Sequence, residues 1–467
     1  MMYTKQHTIK EPVTVEGVGI HTGAISKMVF LPAEENHGYK FQRVDIEGQP
    51  TVDCDVDNVV DVSRGTTIEQ DGARVNTVEH VLAALVGLQI DNVLIQIDGP
   101  EPPIMEGSSI KFVEALMEVG LEEQQSLRNF FEVPEGVFYK EDDRKVEIAA
   151  LPLNDYRLTV MVDYNSPVLG SQHAALNNIE DFAAEIASSR TFCFLHEVEA
   201  LRKANLIKGG NFNNAIVVVD QVVNQETLDD LAELFELPSV EVAEEGILNN
   251  VELRHPNEPA RHKLLDMVGD LALVGRPIKG QILAARPGHA ANVAFARKLK
   301  SLMLKSARKN VPTYDPLQAP IYDINQIEEL LPHRYPFRLV DKITEITDKY
   351  VIGVKNVTIN EEFFMGHFPS NPVMPGVLQI EAMGQTGGIL VLNSVDNPAN
   401  YWTYFVGVEE CKFRRMVVPG DTLVIKCELL MPIRRGIAKM KGQAYVGDKL
   451  VTEAIMTASL VKKDNNA

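Results

Sequence analysis

Residues 363–391 read FFMGHFPSNPVMPGVLQIEAMGQTGGILV. From Val377 to Ser394 the pattern is a long helix, apolar on nearly every side, and such a helix is buried all round. Glu381 is its only charge. A carboxylate there is either paired or has its pKa raised by desolvation, and a raised pKa makes a proton donor at neutral pH. Gln385 lies one turn on and shares its face. His367 precedes the helix in a Gly/Pro-rich loop. The Gly376 N–H sits at the helix start, where unsatisfied donors and the dipole favour developing negative charge. A His base, a carboxylic acid and a helix N-terminus suit proton abstraction next to a carbonyl with loss of a β-hydroxyl.

Working outward, Ile321–Leu331 reads as a short helix, and Leu339–Ile346 pairs with Tyr350–Val357 as strands. The tail (VIKCELL, IAKMKGQAYV, LVTEAIMTASLV) alternates as an antiparallel sheet does. Upstream, Pro312, Pro316 and Pro320 fall in nine residues, a density that breaks helices and stiffens the chain. The expected divisions are therefore 1–125, 126–308, a linker at 309–320, and 321–467. The early part alternates strands (Val13–Val15, Met28–Leu31, Val93–Ile97) with a buried helix, Thr77–Leu88, for which Asn76 and Glu79 suggest a capping box. Phe112–Val119 reads as a second helix and the polar stretch 121–130 as a link. Strands follow at Phe131–Val137, Lys145–Ala149, Leu158–Val162 and Ala215–Asp220. Helices are expected at Ile179–Ser188, Arg261–Val274 and Ala291–Arg308. The acidic stretch 226–245 has no clear pattern, and there is no internal repeat.

The chain has 467 residues, with 45 Lys plus Arg against 65 Asp plus Glu, a net charge of −20. That balance argues against nucleic-acid binding and against charge-driven attachment to anionic lipid. Cys54, Cys193, Cys411 and Cys427 form no CxxC pair; Cys54, Cys193 and Cys427 read as small buried hydrophobes. With no apolar leader and no run of about 18 apolar residues, the expectation is a cytoplasmic protein without a transmembrane segment.

Three fragments of the first region carry polar residues on apolar elements: Thr77-Val78-Glu79-His80, Arg261 to Asp266 followed by Asp270, and Gly288-His289. His262, Asp266 and Asp270 recur every fourth residue and share one helix stripe. A buried His and Asp need partners: a divalent cation, Lys263 or an arginine. His80, His262 and Asp266 would supply the three protein ligands of a catalytic zinc, leaving one position open. Glu79 beside His80 would then be the general base. Each piece alone is an ordinary structural feature.

Taken in order, GVGIHTG (17–23), TVEH (77–80), GLQIDNVLI (87–95), PIMEGSS (103–109), SSRTFCF (188–194), RHKLLDMVGDL (261–271) and GH (288–289) resemble the zinc-dependent UDP-3-O-acyl-N-acetylglucosamine deacetylases of lipid A synthesis (LpxC), over about residues 3–305. The resemblance implies zinc on His80, His262 and Asp266, with Glu79 as base. Thr191 would donate to the oxyanion, and His289 would protonate the leaving amine. Lys263 and Asp270 match remaining active-site positions, Lys263 facing phosphate or oxyanion. It also implies a greasy passage near 193–222, with Phe194, Leu195, Val198, Leu201, Leu206, Ile216 and Val218 as candidates. His/Asp ligation suits ferrous iron as well as zinc. The acidic stretch 221–260 departs from the family.

LPHRYPFRLVD (331–341), the 366–385 segment and FRRMVVPGD (413–421) resemble the (3R)-hydroxyacyl-ACP dehydratases of fatty-acid synthesis (FabZ), over about 321–463. That resemblance implies a hot-dog fold, an antiparallel sheet wrapped around the long helix. His367 would remove the C2 proton, Glu381 would protonate the leaving hydroxyl, and the Gly376 N–H would hold the thioester oxygen. His and Glu of one site come from different protomers in that family, so the domain should form a dimer or a trimer of dimers. Acyl carrier protein is acidic, so docking needs a basic patch; Lys412, Arg414, Arg415, Arg434, Arg435, Lys439 and Lys441 are candidates. The overall expectation is α+β: a two-subdomain deacetylase of layered sheets and helices, then the hot-dog domain. A rival reading leaves the hot-dog part as an oligomerisation, acyl-binding or thioesterase module.

Overall fold

The computed structural model describes residues 2–163, 166, 168–195, 214–220, 223, 225, 228, 241–242, 246–248, 251–309 and 311–463. The chain divides into two compact units, 1–303 and 304–467. Both mix sheets with a few helices.

In the first unit, a five-stranded sheet runs in the order Val13–Val18, Ile25–Pro32, Val93–Ile97, Tyr39–Arg43, Thr51–Asp53. Helix α2 (Ile110–Val119) packs on its Val13–Val18 strand, and α1 (Glu79–Gly87) lies beside α2. A second sheet runs Val137–Glu141, Val146–Leu151, Ile278–Ala285, Tyr156–Asp163, Ser171–Leu176, with Phe131–Glu132 beside Ile278. A short α3 (Phe182–Glu185) lies between strands, and α4 (Glu258–Ala272) lies against the second sheet and against α1. α5 (His289–Lys309) follows the Ile278–Ala285 strand. One apolar cluster, from Ile9 to Met303, joins both sheets and these helices. The α1–α4 approach is unusually tight. A Cβ on Gly269 would stand 2.0 Å from the Glu79 carbonyl oxygen, so only glycine lets α4 lie this close to α1.

Several local expectations need correction. Residues 121–130 are not merely a link: Leu121–Leu127 is a strand antiparallel to Lys5–Ile9. Its outward residues face solvent, which explains its polar composition. The Asn76 capping box does not form. α1 starts at Glu79 behind a positive-φ Thr77, Asn76 donates to the Pro100 carbonyl, and Glu79 turns inward. The Ile179–Ser188 helix shrinks to a 3₁₀ turn, Ile179–Asp181, plus α3. Cys193 is half-buried, whereas Cys54 and Cys427 are buried; all four cysteines are free thiols. Most of 226–245 lies outside the described residues.

In the second unit, α6 (Ile324–Leu330) opens with a true capping box, Asp323 with Gln326. One antiparallel sheet runs Lys342–Ile346, Tyr350–Asn356, Thr422–Leu429, Ile437–Val446, Lys449–Lys462, Tyr401–Phe413. Helix α7 (Gly376–Leu392) packs against five of these six strands, and Met383, Ile389 and Leu392 sit in the core with Ile425, Cys427 and Met456. Against the expected 377–394, the helix starts one residue earlier, at Gly376, and ends two earlier, at Leu392. Tyr401–Phe413, a long edge strand, escaped the sequence reading because its Glu-Glu interior and two register shifts break alternation. No described helix is long and apolar enough to cross a membrane.

Candidate active sites

His80 enters from the first turn of α1; His262 and Asp266 come from successive turns of α4. One ligand atom from each lies within 4.8 Å of the other two. His262 Nε2 is 3.2 Å and His80 Nε2 3.7 Å from Asp266 Oδ1. All three side chains are buried, yet Asp266 Oδ1 has no hydrogen bond. A buried carboxylate oxygen left without a donor, facing two imidazole nitrogens, is suited to a cation. The Ser189 carbonyl, 3.0 Å away, takes the Nδ1 proton of His262 and leaves Nε2 as the free lone pair. Burial lowers the His262 pKa to about 4 against the pull of Asp266. For Asp266, burial alone would raise the pKa, but His262, Lys263 and His289 together hold it well below the usual range. Neutral imidazole and ionised carboxylate are the forms that bind metal.

Beside this triad, Glu79 and His289 face each other with Oε1 and Nε2 3.7 Å apart. The Thr66 N–H donates to Glu79 Oε2 at 2.9 Å. Burial raises the Glu79 pKa, partly offset by His289 and His80. His289 starts α5, and its Nδ1 bonds Asp270 Oδ2 at 3.0 Å. Burial would lower its pKa, but Asp270, Glu79 and Asp266 raise it to about 10. Asp270, fully buried, also accepts from Asn292 Nδ2 at 2.9 Å and from the Thr66 hydroxyl at 2.5 Å. Thr66 and Asn292 were missed in the sequence: neither stands out by type or spacing, and only folding brings them to Asp270.

Lys263 lies on Asp266 Oδ2, 2.8 Å away, and over the Phe192 ring; the expectation that it faces a substrate anion must accommodate this link to a candidate ligand. Thr191 is half-buried, two residues past Ser189, with its backbone held by the Gly107 carbonyl. Among the passage candidates, Ile216 and Val218 are buried with Leu169 and Ile247, Phe194 packs against them and Leu195 is buried. Val198, Leu201 and Leu206 lie outside the described residues.

In the second unit, Glu381 is half-buried and paired: Gln385 Nε2 donates to its Oε1 at 2.8 Å. Gln385 also donates to the Phe337 carbonyl and accepts from Leu339 N–H. His333 Nε2 lies 3.5 Å from the same Glu381 oxygen; His333 stands in the LPHRYPFRLVD segment, 48 positions before Glu381, and no local spacing links the two. Burial lowers the His333 pKa, Glu381 opposing. The Val373 carbonyl, 2.7 Å from His367 Nδ1, only accepts, so Nδ1 carries the proton and donates it there, and Nε2 is left as a base. Gly376 opens α7, where the Phe413 ring leaves no room for a Cβ. Among the described residues no hydrogen bond or ion pair joins His367 to Glu381. Of the basic candidates, Arg414 and Lys439 pair with Glu453 and Glu409, and Lys441 lies near Glu453. Lys412, Arg415, Arg434 and Arg435 are exposed.

The LpxC family profile, UDP-3-O-acyl N-acetylglycosamine deacetylase, matches residues 6–235 and 238–301. A FabA-like domain profile matches 331–455. A Bacteroides thetaiotaomicron protein named bifunctional enzyme LpxC/FabZ is 50% identical over 458 residues, 98% of this chain and 99% of that protein. A Chlorobaculum tepidum protein of the same name is 47% identical over 468 residues, 99% of this chain and all of that protein. A Myxococcus xanthus UDP-3-O-acyl-N-acetylglucosamine deacetylase is 36% identical over 297 residues, 63% of this chain and 86% of that protein.

Proposed function

The chain belongs to the LpxC family of deacetylases and carries a FabA-like domain after it, and from that premise we propose that it is a two-activity enzyme of lipid A and fatty-acid synthesis. It hydrolyses the N-acetyl group of UDP-3-O-(3-hydroxyacyl)-N-acetylglucosamine, and it dehydrates (3R)-hydroxyacyl-ACP to trans-2-enoyl-ACP. We read unit 1 as the two-subdomain deacetylase and unit 2 as a hot-dog domain.

For the deacetylase, the observation that carries the reading is the orphaned Asp266 oxygen within reach of two imidazoles. His80, His262 and Asp266 would hold one divalent cation, zinc by family habit. When bound, that cation polarises an amide carbonyl and acidifies water. Glu79 takes the attacking water's proton. The Thr191 hydroxyl donates to the oxyanion. Lys263 adds positive charge at the same edge while steadying Asp266. His289, kept protonated by Asp270, gives its proton to the leaving amine, an otherwise poor leaving group. Asp270 fixes the ring of His289, and Thr66 and Asn292 fix Asp270.

For the dehydratase, Nε2 of His367 removes the C2 proton, the Gly376 N–H at the start of α7 holds the thioester oxygen, and Glu381 protonates the departing hydroxyl. Gln385 keeps the Glu381 carboxyl aimed. The exposed Tyr404, Phe405, Val406 and Val408 on the edge strand Tyr401–Phe413 support an oligomer, since such an edge offers unpaired backbone donors and acceptors. A partner's His would then complete each Glu381 site, in a dimer or trimer of dimers. Lys412, Arg415, Arg434 and Arg435 remain available to dock acidic acyl carrier protein. Four free thiols suit a reducing cytoplasm. Neither product is the other's substrate, so fusion sets a ratio between the activities.

The test is two assays on one purified chain. His80→Ala should end acetate release and spare enoyl formation, and Glu381→Gln should do the reverse. If either substitution left its own activity intact, the assignment would be wrong. Free acid instead of enoyl thioester would favour a thioesterase.

A further inference from the structure

Behind α4 lies a cavity of about 280 Å³. Val268, Leu271 and Ala272 line it. At about 100° per residue, these point to the side of the helix opposite His262, Asp266 and Asp270, so the cavity is separate from the metal cluster. Val86 of α1 and Ile278 complete an apolar wall.

The charged residues around it can be matched. Lys40 pairs with Asp53 at 2.8 Å, Arg128 with Asp91 at 2.8 Å, and Asp55 with Lys300 at 2.5 Å. Arg276 is the exception: among the described residues it makes no ion pair or hydrogen bond, although it is half-buried and burial lowers its pKa. Tyr156, a residue only 4% exposed, lines the same space, and among the described residues its hydroxyl makes no hydrogen bond. A half-buried guanidinium without an ion pair and a phenol thus border a chamber whose other walls are apolar side chains and matched ion pairs. A guanidinium in that setting gains a charge-assisted hydrogen bond from any anionic head group that enters.

We propose that this chamber binds a small anionic amphiphile: a carboxylate or phosphate head on Arg276 and the Tyr156 hydroxyl, with a short aliphatic chain against Val86, Val268, Leu271 and Ile278. Guanidinium binds both head groups through charge-assisted hydrogen bonds. The bound chain fills the space behind α4 and braces the helix whose other face carries the metal cluster.

Isothermal titration of the full chain tests this with octanoate, octyl phosphate, octanol and octylammonium. Saturable binding of one or both anions, at least about tenfold tighter than octanol, is expected. The stronger anion identifies the head group. Arg276→Gln should weaken anion binding about tenfold or more without changing basal deacetylation or the melting temperature of the free protein. Ala272→Met, which fills the chamber from α4, should abolish binding at retained fold. Equal binding of octanol and octanoate, no saturable binding of either anion, or undiminished octanoate binding by Arg276→Gln would each overturn the proposal. The last result would place octanoate elsewhere on the chain.

Discussion

Replacing Asp270 by Asn should move the alkaline limb of the deacetylation rate profile towards acid. Asp270 is the first of three carboxylates that raise His289 from 6.5 to about 10. Between those two values the balance of protonated and neutral imidazole moves by about 5 kcal/mol. If Asp270 supplies even a third, its neutral isostere lowers the pKa by about one unit. Asn keeps one acceptor oxygen where Asp270 uses two for His289, Asn292 and Thr66, so orientation suffers as well. Turnover at neutral pH should fall about 10²–10³-fold, and activity should decline with rising pH from about one unit lower than in the parent chain. Because the His289 pKa is raised on folding, its contribution to stability is present in full below about 6.5 and is lost as pH rises through 10; unit 1 of the variant should therefore lose stability at neutral pH but little above pH 10. The assay is a stopped-time measurement of acetate release from pH 5 to 10.5. Dehydration by the same chain serves as the folding control. An unchanged alkaline limb with parent-like turnover would refute the role given to Asp270.

Other substitutions probe separate links. Gly269→Ala puts a methyl 2.0 Å from the Glu79 carbonyl oxygen; about 2–3 kcal/mol of destabilisation, seen as a lower melting temperature of unit 1, should accompany weaker deacetylation. Gln385→Leu removes the donor to Glu381 and strands the Leu339 N–H, so dehydration should fall more than about tenfold and unit 2 should lose about 1–3 kcal/mol, measured by chemical denaturation. Chains carrying His367→Ala and Glu381→Gln should each be inactive in dehydration, yet mixed and reassembled they should regain activity if each site draws on two protomers; no recovery in a verified mixed oligomer would count against shared sites.

The motif-bearing residues were legible from sequence because they combine unusual chemistry with helical spacing. His262, Asp266 and Asp270 fall on one stripe of α4, and Glu381 with Gln385 on one stripe of α7. What could not be read was anything set by long-range packing. The closeness of α1 and α4 depends on Gly269 meeting a carbonyl 190 positions earlier. Thr66 and Asn292 reach Asp270 from unrelated loops and helices. The 121–130 segment looked like a linker because a strand on a two-stranded ribbon carries polar residues. Asn76 and Glu79 imitated a capping box, but the carboxylate of Glu79 is drawn inward by Thr66 and His289. Local pattern cannot weigh such a competition between a helix cap and a buried site.

Metal analysis of the purified full chain, by elemental quantification after dialysis, bears on the triad without relying on turnover. One tightly held divalent ion per chain is expected, with loss of that ion in His262→Ala and in Asp266→Ala while unit 2 still dehydrates its substrate. One equivalent retained in both variants, or none in a chain that deacetylates at full rate, would contradict a cation held by His80, His262 and Asp266.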